Sequence, residues 1–342
     1  MTAGARIAAL AVCIAGLAVG QQTELAEYAG DVRAADALLT EGDFQGVIAT
    51  LESWPRRLPD RPEAQHFLGL AHYRLEQFEP AIRHLSNAMA LEQPDSAAWR
   101  QTVEVLGAAF YFGSRWREAE PLLKKATGWR PEDSELLYTL GMTYVHLGQP
   151  EPARHALSSV FRVDPDSPQA FALTAELMLQ GNRTKDAAAL LSAALKVQPD
   201  LTGAASGLAA IAVRQGRYDR ALELLEGELG RNPKDAAAWH SLGEALSGLG
   251  KQSEAVEALK RAVWLDTRAA ETYILLAKIY IGLNQLSLAE GTLARAVEVH
   301  PRSYEAHFLQ SRIYYKTGRT DLARRKLAIA ERVRNSQGQA QP

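Results

Sequence analysis

Small and apolar positions along this chain recur every thirty-four residues. Ala119, Ala153, Ala187, Ala221, Ala255, Ala289 and Ala323 share one constant spacing, and Leu123, Leu157, Leu191, Leu225, Leu259, Leu293 and Leu327 share it too. A third column holds Pro131, Pro165, Pro199, Pro233 and Pro301, interrupted at Thr267. A fourth, always small, holds Gly107, Gly141, Ala175, Ala209, Gly243, Ala277 and Ser311. Four columns in register over seven rows are not a chance pattern.

Within a row the apolar residues fall at helical spacings on two successive segments, as in Leu140, Tyr144, Ala153, Leu157 and Val160. Small residues in the first segment and alanines in the second let two helices approach closely, while leucines and aromatics fill the seam. Gly148, Gly216, Gly250 and Gly318 mark the turn between segments, where a left-handed backbone is needed. The proline column ends the second helix. One such pair cannot bury its apolar faces alone, so the rows must stack.

Trp239-His240-Ser241-Leu242-Gly243 and Leu137-Tyr138-Thr139-Leu140-Gly141-Met142-Thr143-Tyr144, each followed by the alanine and proline columns, resemble the tetratricopeptide repeat. The resemblance covers about nine tenths of the chain and implies an all-α fold, a right-handed superhelical solenoid of antiparallel helix pairs. Seven repeats stand in strict register at 100–133, 134–167, 168–201, 202–235, 236–269, 270–303 and 304–337. An eighth at 62–95 is offset by four extra residues, 96–99. The expected layout is therefore a leader at 1–20, N-terminal helices with a degenerate unit at 21–61, eight repeats forming one solenoid at 62–337, and a disordered tail at 338–342. The degenerate unit has Val47 where a small residue belongs, and Glu228 replaces a small apolar residue in a later repeat. The last repeat is more polar, as an array's end requires.

Charge adds an exclusion. With 38 basic and 40 acidic side chains the net charge is -2, which gives no footprint for nucleic acid and no polybasic membrane patch. The first twenty residues read as a secretory signal peptide: Arg6 at the start, an apolar run from Ile7 to Leu17, and Ala18-Val19-Gly20 as a small-x-small cleavage site. Cleavage after Gly20 leaves Gln21 at the mature N-terminus. The run is shorter than the ~20 residues that span a bilayer, so no membrane insertion is expected after its removal, the alternative being an uncleaved anchor. Cys13 lies in that run behind Val12, a poor lipoprotein context, so the mature chain holds no cysteine and its stability rests on packing. The expected location is periplasmic or secreted, in a bacterial envelope.

The resemblance also implies a concave face lined by the first helix of each pair, with the second, fifth, ninth and twelfth repeat positions open. Those positions give Tyr73, Tyr111, Tyr138, Met142 and Val145, with Phe112 adjacent, toward one end, and Ile274, Lys278, Phe308, Arg312 and Tyr315 toward the other. Aromatics and arginine are the residues that most often anchor interfaces. The middle looks plain, with Ala210, Val213 and Glu244. The asparagines of a chaperone-tail clamp and of a glycosyltransferase ladder are both missing.

Catalytic patterns are also missing. Gly250-Lys251 is followed by Gln252 where a phosphate loop needs Ser or Thr, and the eight histidines form no H-E-x-x-H. The expectation is a non-enzymatic scaffold or adaptor without cofactor or metal, binding peptides or helices of other proteins in its groove. The alternative is a structural or regulatory subunit of an envelope complex that uses convex or edge surfaces.

Overall fold

The computed structural model describes residues 3–338, and side chains from 22 to 336. The described residues form helices and no strand. They fall into two compact units, one running to Pro165 and taking in Gln180–Arg183, the other comprising Asp166–Leu179 and the chain from Thr184 on.

The N-terminal unit contains α1 (Ala3–Glu41), α2 (Phe44–Leu51), α3 (Trp54–Arg57), α4 (Pro62–Arg74), α5 (Phe78–Leu91), α6 (Ala97–Phe112), α7 (Trp116–Trp129), α8 (Ser134–Leu147) and α9 (Pro150–Phe161). The C-terminal unit contains α10 (Pro168–Gln180, all but its last residue), α11 (Thr184–Val197), α12 (Ala204–Arg214), α13 (Tyr218–Arg231), α14 (Ala236–Gly248), α15 (Gln252–Leu265), α16 (Ala270–Gly282), α17 (Leu286–Val299), α18 (Tyr304–Lys316) and α19 (Thr320–Gly338). Consecutive helices pair, α4 on α5, α6 on α7 and α8 on α9 in one unit, α12 on α13 through α18 on α19 in the other.

The side chains of the leader, including the expected cleavage position Gly20 and Gln21, lie outside the described ones. So do residues 339–342 of the expected tail, whereas Gly338 is the last residue of α19. No helix among the described residues is long and apolar enough to cross a membrane.

The columns explain the seams. All seven column alanines from Ala119 to Ala323 are fully buried, and so are Leu123, Leu157, Leu225, Leu259 and Leu293. The small column exists because the leucine needs its space. A Cβ on Gly69 would stand 2.4 Å from Leu85 Cγ and 3.1 Å from the Leu85 backbone nitrogen.

The turns share one geometry as well. Gly148, Gly216, Gly250 and Gly318 have φ between 70° and 79°, and Glu76, Ser114, Asn182 and Asn284 take the same place at 58° to 59°. In this turn the next N–H reaches back to the helix, as Arg115 N does to Phe110 O (2.8 Å) and Lys251 N to Leu246 O (2.9 Å). Gly250-Lys251 is thus a helix-ending turn. At the opposite end, Asp133, Asp235 and Ser303 accept from N–H groups that open α8, α14 and α18, satisfying donors the helix itself cannot use.

Two irregularities shape the N-terminal unit. Pro55 cannot continue a helix, so the stretch after α2 restarts as the short α3. There Trp54 is buried edge-on against Tyr28 at 5.2 Å and donates from Nε1 to Asp31 at 2.8 Å. Around them Val47, Leu51 and Leu68 form one apolar cluster. The four extra residues at 96–99 do not form a loop. They start α6 early, with Ser96 accepting from Trp99 N at 3.1 Å, so α6 runs to 16 residues.

Glu228, an oddity in the sequence, also has a structural role. Its carboxylate is buried in α13 and accepts from Gly203 N, the N-cap of α12, at 3.3 Å and from Arg231 Nη2 at 3.4 Å.

Candidate functional site

In the N-terminal unit the first helices α4, α6 and α8 line a groove of about 540 Å³, to which Leu39 and Phe44 also contribute. Leu70, Tyr73 and Arg74 come from α4, Gln101, Glu104 and Phe112 from α6, and Glu135 and Thr139 from α8. Its charges are largely internal. Arg130 pairs with Glu104 and, at 3.2 Å, with Asp133.

Two lining residues, Tyr73 and Phe112, belong to a connected series of aromatic rings that continues beyond the groove. Phe78 stacks on Phe112 at 5.4 Å, Tyr73 lies 6.4 Å from Phe112, and Tyr111 meets Phe112 edge-on at 5.1 Å. Tyr111 continues to His146 at 6.1 Å, and His146 stacks on Trp116 at 4.3 Å. Burial lowers the His146 pKa, helped by the Arg183 guanidinium, so the ring on Trp116 is neutral at neutral pH. Burial likewise raises the phenols of Tyr73 and Tyr111, which stay protonated hydrogen-bond donors. Phe112 remains 52% exposed and Tyr138 41%. A large apolar ring left in water beside a groove is the feature an interface uses.

The structure therefore brings Tyr73, Tyr111 and Phe112 together and leaves Tyr138 open nearby, its phenol acting on that of Tyr111. Met142, Val145 and Ile274 are corrected: all three are buried. First helices pack on one another as well as on their partners, α6 with α8 and α16 with α14 and α18, and apolar side chains facing those contacts leave the surface. Ile274 sits in the same cluster as Leu276 and Ile279.

Toward the other end Lys278, Arg312 and Tyr315 are exposed, and Phe308 is half-buried, stacked on Tyr304 at 5.7 Å. Lys278 is already paired with Glu305 at 2.7 Å. The middle is not plain. Ala210, Arg214, His240, Glu244 and Glu271 line a groove of about 790 Å³ on α12, α14 and α16. His240 Nδ1 lies 2.9 Å from Thr272 Oγ1. Burial lowers its pKa, against the pull of Glu244 and Glu271.

Sequence reading missed Phe78 and Trp116 because both sit at the first position of a second helix. That column also holds Tyr218, whose ring covers Gly248. An aromatic there reaches the end of the next first helix, a signal visible only once the pairs are stacked. Among the described residues no group of three or more His, Cys, Asp and Glu could hold a metal ion.

Tetratricopeptide repeat family models match residues 114–177, 178–246, 236–267 and 274–340, together more than half of the chain. This chain belongs to the tetratricopeptide repeat family. Such repeats bind other proteins, so this tetratricopeptide protein is a protein-interaction scaffold. It is 34% identical over 126 residues to the BBSome complex member BBS4 of Bos taurus, covering 37% of this chain. The chain matches 23% of that relative's length.

Among solved structures it is similar to MamA, with 20% identity, a TM-score of 0.43 and coverage of 48% of this chain and 96% of that one. It is also similar to the APC/C hetero-tetramer Cut9-Hcn1, with 18% identity, a TM-score of 0.44 and coverage of 82% and 54%. These likenesses concern the fold.

Proposed function

We propose that this chain is an exported, non-enzymatic adaptor that holds a segment of a partner protein in the groove of α4, α6 and α8. The observation that carries the reading is the aromatic series beside that groove, which includes an exposed Phe112 and, through Tyr111, neighbours the exposed Tyr138. Preassembled rings offer large contact area at little entropic cost, and the groove beneath them supplies polar side chains for orientation. Export rests on the leader-like first twenty residues, and the envelope is the compartment the reading implies.

A photo-crosslinking residue at Phe112 or Tyr138 should trap the partner in native envelope extract, whereas one at Trp264 should not. Adducts formed only at Trp264 would overturn the groove assignment.

One observation favours the alternative, a structural or regulatory subunit of an envelope complex. Trp264 on α15 is 67% exposed with Arg261 over its ring at 4.4 Å, and Leu288 on α17 is 53% exposed. Both lie on second helices, away from the grooves. The curated relative is, by its name, a member of a complex, which fits such a role equally well.

A further inference from the structure

In the C-terminal unit each helix pair packs against the pair that follows it, and α16 to α19 show how that cover is fastened. Lys278 on α16 reaches Glu305 on α18 at 2.7 Å. Glu290 on α17 accepts two hydrogen bonds from Arg319, in the turn before α19, at 2.9 and 2.7 Å. Ile274 and Leu293 are buried in the cluster that also holds Ala306, Leu309 and Ile313 of α18.

Thirty-four residues on, the same columns lie on α18 and α19, and the described residues hold no pair beyond them. Ile274 becomes Phe308 and Leu293 becomes Leu327, and both pass from buried to half-buried. Lys278 becomes Arg312 and Glu290 becomes Arg324. Both arginines are exposed, and neither has a hydrogen bond or ion pair among the described residues. The end of the array thus presents apolar side chains beside two free guanidinium groups, at the positions inner pairs use to hold a neighbour.

Charge says what can cover this face. The near-neutral balance of the whole chain conceals a local excess, since residues 304–337 carry eight Lys and Arg against three Asp and Glu. On the inner second helices exposed cations are answered locally, Arg220 by Glu223 at 2.7 Å and Lys260 by Glu257 at 2.8 Å. A further pair of the inner kind would bring an arginine like Arg319 to Arg324, and a second copy of this face would set arginine against arginine. Both arrangements are repulsive. A carboxylate facing each guanidinium would instead form charge-assisted hydrogen bonds, which the planar fork favours in pairs.

We propose that the end face of α18 and α19 docks an acidic amphipathic helix of another protein, its carboxylates on Arg312 and Arg324 and its apolar stripe on Phe308 and Leu327. This face shares no residue with the groove of α4, α6 and α8, and the proposal does not rest on that groove.

The test follows, by fluorescence anisotropy, binding to the full chain of a labelled helical peptide of three heptads, with leucine at the core positions and glutamate at the flanking ones. Twins carry glutamine or lysine in place of each glutamate. The glutamate peptide should bind saturably and at least about tenfold more tightly than either twin. Arg312→Glu with Arg324→Glu should remove that binding and transfer it to the lysine twin. Lys260→Glu with Arg295→Glu, an equal change in net charge at exposed positions of α15 and α17, should leave it unchanged. Absence of saturable binding, equal binding of the glutamine twin, or equal loss in the two charge-reversed variants would overturn the proposal. Self-association seen by sedimentation and abolished by the Arg312 and Arg324 reversal would assign the face to a second copy. Displacement of the glutamate peptide by phosphatidylglycerol vesicles would assign it to a lipid surface, and either result overturns the helix occupant.

Discussion

Replacing Gly243 by alanine puts one methyl group at the tightest point of the α14–α15 seam. Built on the present backbone, that Cβ lies 2.5 Å from Leu259 Cγ, 2.7 Å from its Cδ2 and 3.3 Å from the Ala255 carbonyl oxygen. Carbon atoms pack best at about 3.5–4.0 Å, so Leu259 must retreat by about 1 Å. It has little room, being fully buried. Overpacking of this kind costs about 1–3 kcal/mol, while alanine recovers about 1 kcal/mol over glycine in helix propensity. The net expectation is a loss of up to about 2 kcal/mol, centred on about 1 kcal/mol.

Leu259→Ala alone should cost about 2–5 kcal/mol through the cavity it leaves. In that background the obstruction is gone, and Gly243→Ala should become stabilising by up to about 1 kcal/mol. The sign reversal amounts to a coupling of about 2 kcal/mol between the two positions. Urea and thermal denaturation read by far-UV circular dichroism would measure it. Amide exchange in α14 and α15 would localise the effect, since a repeat array need not unfold in one step. If Gly243→Ala stabilises in both backgrounds, the close approach is not what the small column is for and the reasoning fails.

Other expectations test separate features. Replacing Tyr111 and Tyr138 together by alanine should weaken a groove-bound partner by about 2 kcal/mol or more, read by calorimetry, and unchanged affinity would remove both from the site. Glu228→Ala should cost about 1–3 kcal/mol by leaving Gly203 N uncapped, with Glu228→Gln recovering part of it in urea titrations. Burial, with His72 and Arg83 nearby, holds His84 at a pKa of about 4 against an ordinary 6.5. The unfolded chain therefore takes up a proton between pH 6.5 and 4 that the folded chain refuses, so stability should fall as the pH drops through that window. Melting temperatures of the wild type and His84→Gln would compare the slopes, and identical slopes would rule out His84 as the cause.

Much of the fold was legible because each column answers one local demand that a single residue type meets. Ala221 and Leu225 are buried where the thirty-four-residue spacing put them, and Gly148 has the left-handed backbone its type suggests. The other turns were harder to read, since Glu76, Ser114, Asn182 and Asn284 adopt that backbone without being glycine. The turn imposes the conformation on whatever residue occupies it. The candidate site was less legible, because exposure depends on what the neighbouring pair covers. Val145 looked available from its repeat position and Phe112 from lying next to one, yet the first is fully buried and the second half open. Phe78 and Trp116 enter the aromatic series through side chains that cross from one pair to the next, a relation no single repeat contains.

From α11 on, the main packing runs between helices one or two places apart in sequence. A chain built this way is modular in inheritance as well as in shape. Adding or deleting one helix pair at a turn would change which neighbours meet at a single seam and leave every other seam as it was. Reach can therefore be varied in steps of one pair, with chemistry edited separately on each step.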